Sequence, residues 1–370
     1  MPKHPRGDRP PAMMDVAAAA GVSHQTVSRV LNGSGKVADS TRERVLQAIS
    51  DLGYRRNSVA RALVTRRSGI IGVLTTTSAH YGPSTILLSI ELAAREAGYL
   101  TVVAPLEDFA PESVNAVLDH FLGLAVEGIV IMAPVEEVAV DLSGLIVPVP
   151  VVAVTAASLG AATDVLPVSV DQVGGARQAV EHLIGLGHTD IAHVRGPENW
   201  FEAQMRESGW RAVMEAHGLP VREPRGGGWE ASTGYEAGRE LMAEGVPTAV
   251  FAANDNLALG VVNALCEAGL TVPGDVSVVG FDDAPATEYF RPRLTTVRQD
   301  FRRLGDKVVE TLVDVIEGES RRGPVLLPAQ LVLRASTARP GKSREGTAVT
   351  GGSGPGATSP AVRGGHVARG

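Results

Sequence analysis

Apolar positions along the chain follow two rhythms, and the change between them divides it. Between residues 13 and 67, apolar and small side chains recur at the three- and four-residue intervals of helices. From Gly69 onward, apolar runs of strand length alternate with helical stretches. The runs are GIIGVLTT from Gly69, YLTVVA from Tyr99, GIVIMA from Gly128, VPVVAV from Val149, DIAHV from Asp190, TAVFAAN from Thr248 and VSVVGFDD from Val276. Stretches such as 172–186 and 256–268 carry apolar residues at helical spacing. This alternation predicts an α/β core of parallel sheets wrapped by helices, long enough to divide into two lobes. From Gly341 the chain is rich in Gly, Ser, Thr and Pro and has no heptads, which predicts a flexible tail and no coiled coil. The expected organisation is a disordered start over 1–11, a helical domain over 12–67, the core over 68–339 and a disordered tail over 340–370.

Composition changes this picture little: 44% hydrophobic and 20% charged residues among 370 are those of a folded globular chain. Cys266, the single cysteine, has no partner for an internal disulfide. The start, MPKHPRGDRPPAMMD, lacks the apolar segment of a secretory signal. The uncharged stretch 142–163 contains Gly144, Pro148, Pro150 and Gly160, which suits strands and turns better than a membrane helix. Charge adds more. Residues 1–67 hold 12 Lys/Arg against 5 Asp/Glu, a net of +7, leaving 22 basic and 36 acidic residues for the remainder. A basic first segment on an acidic body points to a polyanion at one end only.

The basic segment contains MMDVAAAAGVSHQTVSRVLNG. Met14 to Ala20 favour a helix, and Gly21 suits its left-handed end. Ser23 is placed to cap a second helix from His24 to Leu31, stopped by Asn32-Gly33. So tight a turn makes the helices cross steeply, with Ala17 and Val22 small enough for the crossing. Val27, Val30 and Leu31 then face inward. His24, Gln25, Ser28 and Arg29 face outward, with donors and acceptors of the kind that read base edges in a major groove. A third helix follows, where Ser40 and Glu43 match a capping box and Val45, Ile49 and Leu52 form an apolar stripe. Next, in YRRNSVARALVTRRSG, Asn57 can cap a short helix over 57–64, and the alternative is a linker with charged flanks. Such a helix is marginal alone. Ordered on DNA, it would let Leu63 wedge into the minor groove while arginines meet phosphates.

The core carries its own candidate site. In parallel sheets, polar residues just past the carboxyl ends of strands converge on a crevice. Here these are Asn254 and Asp255, Asp282 and Asp283, and Gln299, with Arg206 following IAHVRGP. Amides, carboxylates and a guanidinium suit a ligand with several hydroxyls, which both donate and accept. Trp229 or Phe281 would cover an apolar sugar face.

DVAAAAGVSHQTVSRVLNG and KVADSTRERVLQAISDLGYRRNSVARAL resemble the start of the lactose-repressor (LacI/GalR) family of bacterial regulators. GHTDIAHVRGP, ESGW, VPTAVFAANDNLALG, VPGDVSVVGFDD and LTTVRQDFRRLG resemble that family's core landmarks in order. The resemblance implies a helix-turn-helix DNA-binding domain of three helices, a hinge helix over 57–64, and a two-lobed core like that of periplasmic sugar-binding proteins. It implies a cytoplasmic, nucleoid-associated homodimer on double-stranded operator DNA of approximate palindromic sequence, and a small-molecule effector, a sugar. The DNA-binding positions it assigns are Ser23, His24, Gln25, Thr26, Ser28, Arg29 and Asn32, with Asn57, Ala60, Arg61 and Leu63 from the hinge. The effector positions it assigns are Arg206, Trp229, Asn254, Asp282, Gln299 and Phe301. HYGPSTI, supplying His80, Gly82, Pro83 and Ile86, resembles the pocket wall of lactose-type members. Three residues depart from that pattern: Thr155 stands where a carboxylate is expected, and Trp200 and Glu202 replace small hydroxyl residues. A galactoside is the first effector to test, and a purine or another metabolite is the alternative.

Other classes fit less well. Asp282 and Asp283 are sequence neighbours and do not straddle a bond as glycosidase carboxylates must. GSGK at Gly33 lacks the earlier glycine of a phosphate loop, and GLG at Gly185 follows a helix. No HExxH or comparable metal spacing occurs. No catalytic residue, metal or cofactor is therefore expected. A secreted sugar-binding protein without DNA function is disfavoured by the basic helical block.

Overall fold

The computed structural model describes residues 11–32, 37–55, 67–76, 80–106, 110–135, 147–156, 164–319 and 323–341. The hinge stretch 57–64, the first ten residues and the tail from 342 lie outside them.

The described residues of the first unit form three helices: α1 Met13–Ala20, α2 His24–Asn32 and α3 Asp39–Leu52. Gly21 ends α1 with φ 65°, a backbone state that costs a glycine little. Ser23 Oγ then accepts the Thr26 amide at 3.2 Å, so α2 starts with a side-chain cap as the sequence predicts. Val16, Ala17, Ala20, Val27, Val30, Val45 and Ala48 close into one small core. The capping box at Ser40 is not formed. The first helical residue is Asp39, and the preceding Ala38 makes no side-chain cap. Ser40 is already inside the first turn, where Asp39 supplies the negative charge that a helix start favours.

The remaining described chain builds two six-stranded sheets. The first has the order β11-β5-β4-β3-β1-β2. Its strands are β1 Ile70–Thr76, β2 Leu100–Leu106, β3 Gly128–Met132, β4 Val151–Val154, β5 Leu166–Val170 and β11 Val325–Leu327, all parallel. The second has the order β12-β10-β9-β8-β6-β7. It contains β6 Ile191–Arg195, β7 Arg225–Gly226, β8 Ala249–Ala252, β9 Ser277–Asp282, β10 Thr295–Arg298 and β12 Gln330–Val332. Only β12 runs antiparallel, against β10. The central strands β3, β4, β8 and β9 are buried along their whole length, as runs covered on both faces must be.

Among the described residues, seven helices flank the sheets: α4 Tyr81–Glu96, α5 Pro111–Gly123, α6 Gln172–Gly185, α7 Phe201–Ala216, α8 Ala231–Glu244, α9 Asp255–Glu267 and α10 Phe301–Ile316. The chain passes between the sheets three times: after β5 into α6, after β10 into α10, and from β11 to β12. Asp171 and Asp300 cap α6 and α10 at the first two passages. In each lobe the second strand lies on one side of the first and the third on the other. Such a switch leaves a crevice at the carboxyl ends of those strands, and the two crevices contribute to one cavity.

Candidate functional site

Two places combine chemistry with accessibility. The first is the outer face of α2. Ser23, His24, Gln25 and Arg29 are exposed, Thr26 and Ser28 are half-buried, and Val27 and Val30 are turned into the core. Thr26 and Ser23 share a hydroxyl contact at 2.9 Å. The face thus offers an imidazole, an amide and a guanidinium along one side of a helix entered through a sharp turn. Asn32 lies in the last turn of α2, and its side chain is outside the described residues. So are Asn57, Ala60, Arg61 and Leu63.

The second place is a cavity of about 790 Å³, mouth included, with walls from both lobes. All ten effector residues expected from sequence line it. His80, Gly82, Pro83 and Ile86 come from the start of α4 in the first lobe. Arg206 projects from α7, Asn254 and Asp282 stand past β8 and at the end of β9, and Trp229 precedes α8. Gln299 and Phe301 sit on the second passage between lobes.

The floor is a closed circuit of polar groups. Arg206 donates through Nε to Gln172 Oε1 at 2.9 Å, and Gln172 donates to Gln299 Oε1 at 2.8 Å. Gln299 donates to Asp282 Oδ1 at 2.7 Å, and the same oxygen lies 3.5 Å from Arg206 Nη2. Arg206 also donates to the Ala253 carbonyl and lies over the Phe281 ring at 3.9 Å. Burial lowers the Arg206 pKa, opposed by the Asp282 charge. Burial raises that of Asp282, opposed by Arg206 and the Gln299 hydrogen bond.

The wall is aromatic. Trp229 packs onto Gly196, where an added Cβ would meet the indole at 2.5 Å. Trp200 stands edge-on to Trp229 at 5.6 Å and to His80 at 5.8 Å. Asn254 uses both ends of its amide inside the protein. Its Oδ1 caps α9 at the Leu257 amide, and its Nδ2 donates to the Trp229 carbonyl at 3.1 Å. That arrangement makes it a support for the tryptophan as well as a lining residue.

Three other residues read as cleft residues from the sequence are elsewhere. Phe281 is fully buried beneath Arg206. Asp255 is buried behind the floor, accepting from Thr296 Oγ1 at 2.5 Å and the Ala284 amide at 2.8 Å. Asp283 faces away, pairing with Arg334 and Arg298 at 2.6 Å each. Conversely, Gln172 joins the floor without having been singled out. Its signal is its place, two residues beyond the carboxyl end of β5. Thr155, Trp200 and Glu202, the three departures noted in the sequence, also line it, whereas Met132, Pro134, Ser169 and Leu304 do so with no sequence signal distinguishing them from core. Among the described residues no cluster of potential metal ligands occurs, and no helix is long and apolar enough to cross a membrane.

Two family models match the chain. Residues 12–57 match the family described as bacterial regulatory proteins, lacI family, and residues 180–337 match a periplasmic binding protein-like domain. The lactose operon repressor of Escherichia coli (strain K12) is 37% identical over 335 residues, spanning 90% of this chain and 92% of that protein. A lac repressor dimer solved bound to operator and the anti-inducer ONPF superposes with a TM-score of 0.78 at 35% identity, covering 89% of this chain and all of the other. A complex of the transcriptional regulator CelR with cellobiose superposes with a TM-score of 0.64 at 31% identity, over 88% of this chain and 99% of that one.

Proposed function

This chain belongs to the lacI family of bacterial regulatory proteins, and from that premise we propose a transcriptional repressor whose hold on operator DNA is set by a small sugar in the interlobe cavity. The carrying observation is that cavity: a hydrogen-bonded polar floor, an aromatic wall, and residues from both lobes around one space. Hydroxyls need paired donors and acceptors, and pyranose faces need flat apolar surface. A ligand touching both lobes favours one angle between them, so its binding energy is coupled to whatever else depends on that angle.

On the DNA side, His24, Gln25 and Arg29 are assigned to base edges, with Ser23, Thr26, Ser28 and Asn32 beside them. Asn57, Ala60, Arg61 and Leu63 are assigned to the hinge contact by resemblance alone. A homodimer, as in the operator-bound relative, would present two such helices to the halves of an approximate palindrome. We place the protein in the cytoplasm, at the nucleoid, and assign it no catalytic activity. A galactoside is the first effector to try, and cellobiose, bound by a relative, is the second.

The test is an operator titration with and without a panel of neutral sugars. Coupling of about 1–3 kcal/mol would change operator affinity several- to a hundred-fold. Identical curves across the panel would remove the sugar assignment, and a response to a purine would replace it. Failure to prefer any duplex site over bulk duplex would remove the repressor reading itself.

A further inference from the structure

Among the described residues, two that line the cavity each carry a buried polar atom without a partner. Glu202, in the first turn of α7, lines the cavity with Oε2 buried and unbonded. Trp229, itself 5% exposed, lines it with Nε1 buried and unbonded. Buried polar atoms are almost always paired, so two orphans on one cavity mark where a ligand's polar groups belong. The charge balance narrows the ligand further. Arg206 is the one guanidinium lining the cavity among the described residues, and it is committed to Gln172, Ala253, Asp282 and the Phe281 ring. It has little left for a ligand anion, while Asp282 and Glu202 both present carboxyl groups there.

We propose that Glu202 sets the ligand class of this cavity: its Oε2 accepts a hydrogen bond from a hydroxyl of an uncharged sugar and turns away phosphorylated or acidic sugars. This deepens the ligand reading above and rests on it. A carboxylate accepts from a hydroxyl more strongly than a carboxylic acid does. Ligand binding therefore favours the ionised form and is linked to loss of a proton. Burial holds the free carboxyl up to about 7; its own backbone amide and Arg206 pull it down, and Asp282 pushes it further up. Other ionisable groups beside the cavity, among the described residues, include Tyr81, which lines it, and His80 and Glu230, 3.9 Å apart at the starts of α4 and α8. Because those groups persist in Glu202→Gln, the difference between the two proteins isolates Glu202.

The experiment is calorimetric titration of the full-length protein and of Glu202→Gln at pH 5.5 and 8.5. The probes are lactose, methyl β-galactoside and cellobiose, with galactose 6-phosphate and galacturonate as anions. For the neutral sugar that binds, wild-type affinity should rise about tenfold from the lower to the higher pH, the equivalent of a one-unit fall in the carboxyl pKa on binding. Glu202→Gln should show a flat profile and a relative gain for the anions. Matching pH profiles in both proteins, or wild type preferring an anion, overturns the proposal while leaving a sugar-binding cavity intact. Absence of heat from every sugar in both proteins overturns the ligand reading and this proposal with it.

Discussion

Arg206→Ala is the substitution whose consequence follows most directly from the geometry. Arg206 is 4% exposed and holds four things at once: the Gln172 carbonyl, the Ala253 carbonyl, the Asp282 carboxylate and the face of Phe281. Truncation removes all four and leaves Asp282, 9% exposed, with the Gln299 amide alone. Breaking a buried ion pair from one side costs about 3–5 kcal/mol, because the surviving charge stays out of water. The loss should be smaller in acid. Burial already raises the Asp282 pKa and Arg206 opposes that rise, so without Arg206 the group protonates more readily when folded. A carboxyl whose folded pKa lies above its unfolded value binds more protons folded than unfolded, so stability falls as pH rises through that window. The deficit of the variant relative to wild type should therefore be largest at pH 8 and shrink at pH 5. Urea unfolding followed by tryptophan fluorescence is suitable, since Trp200, Trp210 and Trp229 all belong to or border the second-lobe core. A loss below about 1 kcal/mol at both pH values, or one that grows in acid, would refute the assignment of Arg206 as the charge partner that holds the floor together.

Three further outcomes follow. Arg29→Ala should weaken binding to a specific operator by about 1–3 kcal/mol if its guanidinium reads a base, with a smaller loss on random duplex; equal losses in a filter-binding comparison would make it a phosphate contact only. Gly196→Ala places a Cβ against Trp229 and must displace the indole, so it should weaken sugar affinity, read by calorimetry, more than it lowers the melting temperature. Glu202→Gln should melt above wild type at pH 8, with the gap closing toward pH 4.5: burial raises this carboxyl from 4.5 to about 7, and wild type loses stability as pH rises across that interval. A gap that widens in acid would reverse that sign.

Much of this architecture was legible because its causes are local. Each of the seven apolar runs, from GIIGVLTT to VSVVGFDD, marks a strand of four to seven residues, although β2 and β6 run past their ends. Burial on both faces demands continuous apolar sequence, and a continuous run is easily seen. The turn between α1 and α2 was equally plain, since Gly21 takes the positive φ and Ser23 the cap within three residues. The floor of the cavity was legible in part, because Asn254, Asp282 and Gln299 sit where strands end and chain geometry must deliver them. The start of α3 was misplaced by two residues, because Ser40 suits a cap but the backbone already turns helical at Asp39, after Ala38.

What was hidden depended on side-chain direction. In VSVVGFDD the two aspartates look like one acidic pair, yet Asp282 has φ 110° and Asp283 φ 56°. Two successive positive φ values turn the chain so sharply that one carboxylate meets Arg206 and Gln299, while its neighbour meets Arg298 and Arg334. Each such residue costs about 1–3 kcal/mol of strain and persists only where its surroundings over-determine it. Here the hydrogen bonds and ion pairs on both sides supply that determination. Direction also decides Gln172, which stands at the first passage between lobes as Gln299 stands at the second. Their mutual hydrogen bond, closed by Arg206 and Asp282, ties two of the three passages to one set of polar groups. A ligand hydroxyl inserted into that circuit would exchange bonds with residues placed at two of the passages between lobes. On the proposed function, the polar floor would be both the place that meets the ligand and the joint that couples it to the angle between lobes.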